Sequence, residues 1–83
     1  VPEGFEAQAQ LAWRNLFAQL ARAGMTPDHL VKVTVYLADR AFRIPNANIY
    51  DAMLAGRRIA VSTIIAGLVD ERWLLEIEAV AAD

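Results

Sequence analysis

The sequence predicts a two-layer α+β domain, two helices on one face of a sheet, with elements in the order α-β-α-β-β. Three observations carry this. Apolar residues recur at helical spacing over residues 5–23, residues 30–39 alternate apolar and polar without a break, and residues 57–81 hold two more strand-like runs separated by a short turn.

In the first segment Ala9, Ala12, Trp13, Leu16, Phe17 and Leu20 form one stripe, while Glu6, Gln8, Gln10, Arg14, Gln19 and Arg22 populate the other faces. Gly24 is placed to end this helix, because a left-handed closing residue is least costly without a Cβ, and Pro27 in "MTPDH" blocks continuation. His29, beside Asp28 and with no second histidine at ligand spacing, reads as a surface loop residue. The stretch "LVKVTVYLAD" then sets Val31, Val33, Val35 and Leu37 on one face of a strand and Lys32, Thr34 and Tyr36 on the other. A second, shorter helix is expected over "NANIYDAML", with Ile49, Ala52 and Met53 spaced to pack and Gly56 to close it.

Two strands finish the reading, at residues 57–68 and from 72 or 73 to 81. The short turn at 69–71 predicts that they pair as an antiparallel hairpin. Period-two alternation adds Ile59, Val61, Thr63 and Ile65, and Trp73, Leu75, Ile77 and Ala79, to the helix-covered face. The opposite face collects Arg58, Ala60, Ser62, Ile64, Leu74, Glu76, Glu78 and Val80 beside Lys32, Thr34 and Tyr36. That face is too apolar for solvent and too polar for a core, a mixture suited to a subunit contact with polar groups at its seam. Glu76 and Glu78 have a plainer reading, as solvated carboxylates or partners of Lys32, Arg57, Arg58 or Arg72.

Composition limits the function classes. The 83 residues suffice for one domain, 1–83, and 57% are hydrophobic, with a mean hydropathy of +0.28, more than a lone domain of this size should expose. The excess predicts self-association. Eight basic and ten acidic residues give a net charge of -2, with no basic run to attract nucleic acid. The absence of cysteine removes disulfides, thiolate catalysis and sulfur-ligated metals, and no metal or cofactor is expected. Four scattered glycines form no phosphate-binding loop, and Ser62 and Thr63 have no His–Asp pair nearby to make a triad. With neither a leader-like N-terminus nor an apolar run near the roughly 20 residues of a membrane helix, a cytoplasmic, membrane-free protein is expected.

Gln8 with Asn15 in "QAQLAWRN", the "ARAG" that closes the helix, "LVKVTVYLAD", Tyr50, and the terminal "EIEAVAA" together resemble the RidA/YjgF family of small trimeric proteins, many of them enamine/imine deaminases. The resemblance covers nearly the whole chain. It implies a chorismate-mutase-like fold and a homotrimer whose sheets form an inner barrel, with ligand clefts between subunits. It implies further that a strand arginine in a "PARS"-like motif clamps the carboxylate of a 2-imino acid, a bidentate task suited to guanidinium. Glu76 matches the family glutamate that positions the hydrolytic water, and the products are a 2-keto acid and ammonia.

The chain departs from that pattern in two places. Counting back from Ala66, Gly67 and Leu68, the arginine position falls on Ala60, within "RRIAVST", while Arg58 lies two residues earlier, about 7 Å along an ideal strand. The asparagine of the second helix falls on Ala47, which leaves Asn46 and Asn48 as displaced equivalents. The substrate-binding set is then Arg58, Asn46, Asn48 and Ser62, with Glu76 catalytic. Family members also usually carry a β-hairpin before the first helix. Here "VPEGFE" stands in its place, either because the protein is longer or because those strands are absent.

Two functions follow from the resemblance. One is a trimer binding small carboxylate-bearing ligands of the 2-imino acid or enamine type, with weak or absent deaminase activity. The alternative is an active deaminase, a hydrolase releasing ammonia, that uses Arg58 and Glu76. An RNA-cleaving role is disfavoured by the acidic balance.

Overall fold

The computed structural model describes residues 4–82. Helix α1 spans Phe5–Arg22, strand β1 Leu30–Leu37, helix α2 Arg43–Leu54, strand β2 Ala60–Ile65 and strand β3 Leu75–Ala81, with single 3-10 turns at Pro27–His29 and Arg40–Phe42. The α-β-α-β-β order and the two-layer arrangement are as predicted.

Helix α1 buries Phe5, Ala9, Trp13 and Leu20 against the sheet, with Leu16 and Phe17 half-buried alongside. It stops where the chain turns left-handed at Gly24 (φ 75°), and Met25 N–H closes back on Leu20 O at 2.8 Å. Helix α2 tolerates Pro45 because it lies in the first turn, where a backbone N–H has no intrahelical acceptor. Its far end closes through Ala55 in the left-handed region (φ 51°), followed by Gly56 (φ 79°). Ile49 and Met53 pack as expected, whereas Ala52 is exposed. Phe5 stacks on Phe42, ring centroids 4.7 Å apart, and ties the start of α1 to the entry of α2.

The sheet order is β2-β1-β3, with β1 parallel to β2 and antiparallel to β3. The expected β2–β3 hairpin does not form, since β1 lies between them. The physical reason is visible at the end of β1. Ala66 N–H bonds Leu37 O on one side and Ala38 N–H bonds Leu74 O on the other, so the segment between β2 and β3 bridges the end of the central strand. The parallel β1–β2 pair is made possible by the crossover through α2. The most cleanly alternating strand thus takes the position where both of its edges are paired.

Both later strands are shorter than predicted, and Trp73 precedes β3 and is 37% exposed. Val31 is 55% exposed rather than core, because a register irregularity between Leu30 and Lys32 turns Leu30 inward in its place. The remaining face assignment holds for β1 and β3. Val33, Val35 and Leu37 are fully buried, Leu75 is buried, and Ile77 and Ala79 are half-buried. β2 is an edge strand with thin cover, so Thr63 and Ile65 on the helix side stay exposed. His29 is half-buried and not a free loop residue. Its Nδ1 accepts Thr26 N–H at 2.9 Å, while the Thr26 hydroxyl accepts Asp28 N–H, a cap on the turn that leads into β1.

Candidate functional site

The register fixes which groups share the face without helices. Ala60, Lys32 and Val80 form one row across β2, β1 and β3; Ser62, Thr34 and Glu78 form the next; Ile64, Tyr36 and Glu76 the third. Only Thr34, in the middle, is buried, while Ile64 and Val80 are 43% and 54% exposed. With strands about 4.8 Å apart and a rise of about 3.3 Å per residue, Ala60 and Glu76 stand at opposite corners of this grid, about 16 Å apart. No single small ligand reaches both within one chain.

Glu76 also rims a groove of about 680 Å3 between α1 and the free edge of β3, which Gln8, Leu11, Asn15 and Trp73 help to line. The position of Gln8 explains how the groove is held open. Its side-chain NH2 donates to Arg72 O at 2.9 Å and its Oε1 accepts Leu74 N–H at 2.8 Å, so one amide acts as a strand partner for the backbone just before β3. Beyond that clamp the outer edge of β3 is open among the described residues.

The charged groups separate into paired and unpaired sets. Arg57 bonds Asp28 at 2.7 Å and donates to Leu54 O, beside a smaller cavity of about 230 Å3 that Tyr50 and Arg57 help to line. Arg72 grips Asp70 through its guanidinium and its backbone N–H. The side-chain bond is the larger cause that lowers the Asp70 carboxyl from its ordinary 3.8 to about 2, and it also raises the Arg72 guanidinium. Lys32 and Arg58 form no ion pair among the described residues. Arg58 precedes β2 and lies outside the ladder, so strand alternation does not fix the face it serves.

The remaining sequence candidates scatter. Ser62 stands exposed on the open face, one row from Glu76 and with the whole of β1 between their strands. Asn46 is 1% exposed on the covered side. There its Nδ2 reaches Thr63 Oγ1 at 3.5 Å and its Oδ1 has no partner, so it does not join Glu76. Asn48 is exposed on α2. Sequence reasoning passed over the groove residues Leu11 and Gln19, and over Lys32 as a site residue. For Gln8 a signal existed, since it sits one turn from Phe5 and Ala12 at the edge of the buried stripe. Among the described residues no cluster of His, Cys, Asp and Glu could hold a metal, and no helix is long and apolar enough to cross a membrane.

A family model described as "Endoribonuclease L-PSP" matches residues 1–83. Among solved structures, two Rid-family proteins of unknown function from Yersinia pestis superpose well. YyfA has a TM-score of 0.92 at 28% identity, covering 100% of this chain and 67% of that one. YyfB has a TM-score of 0.87 at 29% identity, covering 98% and 64%. A member of the YjgF/YER057c/UK114 family from Mycobacterium tuberculosis shares the fold, with a TM-score of 0.90 at 24% identity over 95% of this chain and 68% of that one. The chain therefore spans about two thirds of the length of these solved chains. No curated protein gives a significant match.

Proposed function

Because the chain belongs to the endoribonuclease L-PSP family, the RidA/YjgF proteins, we propose that it binds small carboxylates of the 2-imino acid or enamine type in clefts between the subunits of a homotrimer, with weak or absent deaminase activity. The observation that carries this is the separation of Ala60 from Glu76. A ligand meeting both strand positions has to lie between two chains, with β2 supplied by one and β3 by the other. The open sheet face, with Tyr36, Ile64 and Val80 uncovered or half-covered, is the surface such an assembly would bury.

In this reading Glu76 accepts a proton from a water as its oxygen adds to the C=N carbon. The nitrogen takes up that proton, and collapse of the resulting carbinolamine releases ammonia and a 2-keto acid. Turnover is weak because the strand position facing the ligand carboxylate is Ala60, which offers no donor. Arg58 does not replace it, since a displacement of several ångströms far exceeds the roughly 1 Å that can already cost about 100-fold.

Ammonia release from freshly generated 2-aminoacrylate tests the reading. The unmodified protein should be slow, Ala60→Arg should accelerate it, and Arg58→Ala should leave it nearly unchanged. Brisk turnover that disappears with Arg58→Ala would instead establish the active deaminase using Arg58 and Glu76.

A further inference from the structure

We propose that Lys32 is the cation that holds the ligand carboxylate in this protein. The inference rests on the preceding reading of a carboxylate cleft and names the group that serves it. In the parallel ladder Lys32 is the registered partner of Ala60, so the two share a face about 4.8 Å apart across adjacent strands. Alanine at position 60 leaves open the space above its Cβ, and a four-carbon lysine stem can lean across it.

The other cations are less available. Arg57 and Arg72 are committed to Asp28 and Asp70, and Arg58 lies outside the ladder. Arg14 and Arg22 belong to α1, and Arg40 and Arg43 to the entry of α2, all on the helix layer. Lys32 is the only lysine in the sequence, is exposed, and is the only cation within the strands among the described residues. Around it on the same face lie Glu78, one row along on β3, then Tyr36 and Glu76 beyond. Among the described residues Glu78 is the carboxylate closest to Lys32 in the register of this face, yet the two form no ion pair.

The chemistry of the replacement accounts for binding without fast turnover. An ammonium attracts a carboxylate as a point charge and lacks the planar fork that fixes its orientation. The ligand is held by charge while the C=N carbon is left poorly aligned with the water at Glu76.

The test uses the pyruvate anion and its neutral amide, pyruvamide, in calorimetric titrations of the oligomeric protein, with unfolding curves and light scattering to confirm that each variant is folded and assembled. Pyruvate should bind more tightly than pyruvamide. Lys32→Met should weaken pyruvate by about tenfold or more, as expected for loss of a charge-assisted bond, and leave pyruvamide unchanged. Lys32→Arg should retain binding, and the exchange Lys32→Ala with Ala60→Lys should recover most of it by returning the amine from the neighbouring strand. Glu78→Gln should tighten pyruvate. Should Lys32→Met bind pyruvate like the parent while Arg58→Met loses it, the assignment to Lys32 fails and the carboxylate cleft stands. Should the unmodified protein bind neither compound, the cleft reading and the assignment fall together.

Discussion

Replacing Gln8 with alanine removes two hydrogen bonds, to Arg72 O and from Leu74 N–H, that join the first turn of α1 to the approach of β3. Each is worth about 1 kcal/mol net, and leaving a part-buried donor and acceptor without partners adds about 1–3 kcal/mol. Relief of the glutamine's frozen rotamers, roughly 1.5–2 kcal/mol, offsets part of that loss. The expected destabilisation is about 1–3 kcal/mol, read from the urea midpoint at unchanged slope and at fixed protein concentration, because assembly makes stability concentration-dependent. Gln8→Glu separates the bonds from simple packing. The ionised carboxylate still accepts Leu74 N–H but faces Arg72 O without a proton to donate. That variant should gain stability relative to the parent as pH is lowered from 7 to 5, when the acid form restores the donor. A Gln8→Ala midpoint within about 0.5 kcal/mol of the parent, or a Gln8→Glu difference independent of pH, would refute the clamp.

Leu37→Ala should cost about 2–5 kcal/mol and Val33→Ala less, measured the same way, since both side chains are fully buried; Leu16→Ala should cost less than Leu37→Ala because Leu16 is only half-buried. Ala55→Gly should stabilise by about 0.5–1 kcal/mol, because alanine there holds a left-handed φ of 51°. A carbon-detected titration should find the Asp70 carboxyl near about 2, and Arg72→Ala should return it toward 3.8. Any stabilisation from this pair is present above 3.8 and is lost as the pH falls through about 2. Light scattering should give three times the 9.2 kDa chain mass at micromolar concentration, and a stable monomer there would remove the inter-subunit cleft.

Periodicity made the helices and the two faces of the sheet legible, because the buried stripe from Phe5 to Leu20 and the alternation from Val33 to Leu37 each record which side meets the core. The same signal says nothing about which strand neighbours which. A short polar stretch before Trp73 therefore suggested a hairpin, where the chain instead bridges the end of β1. Nothing in the residues around Val31 marks the irregularity that exposes it. Asn46 shows the opposite case: sequence reasoning makes it a substrate-binding residue, although its four-residue spacing to Tyr50 and Leu54 is a signal that it shares the packed side of α2. The pairing of Lys32 with Ala60 depends on the parallel register and was accessible only once the sheet order was known.

The central position of β1 also sets the order in which this fold can assemble. Leu30 pairs with Ala81 and Lys32 with both Val80 and Ala60, so an early strand is completed only by nearly the last described residues. Such long sequence separations slow folding relative to local helical pairing, because the loop-closure entropy is lost before the ladder forms. During synthesis at about 5–20 residues per second, the Val33–Val35–Leu37 run emerges well ahead of β3, and its edge facing β3 stays unpaired meanwhile. A premature stop before Leu75 would strip one whole edge from that run. The truncated product would present an apolar central strand with one backbone edge open, a substrate for chaperones and proteases.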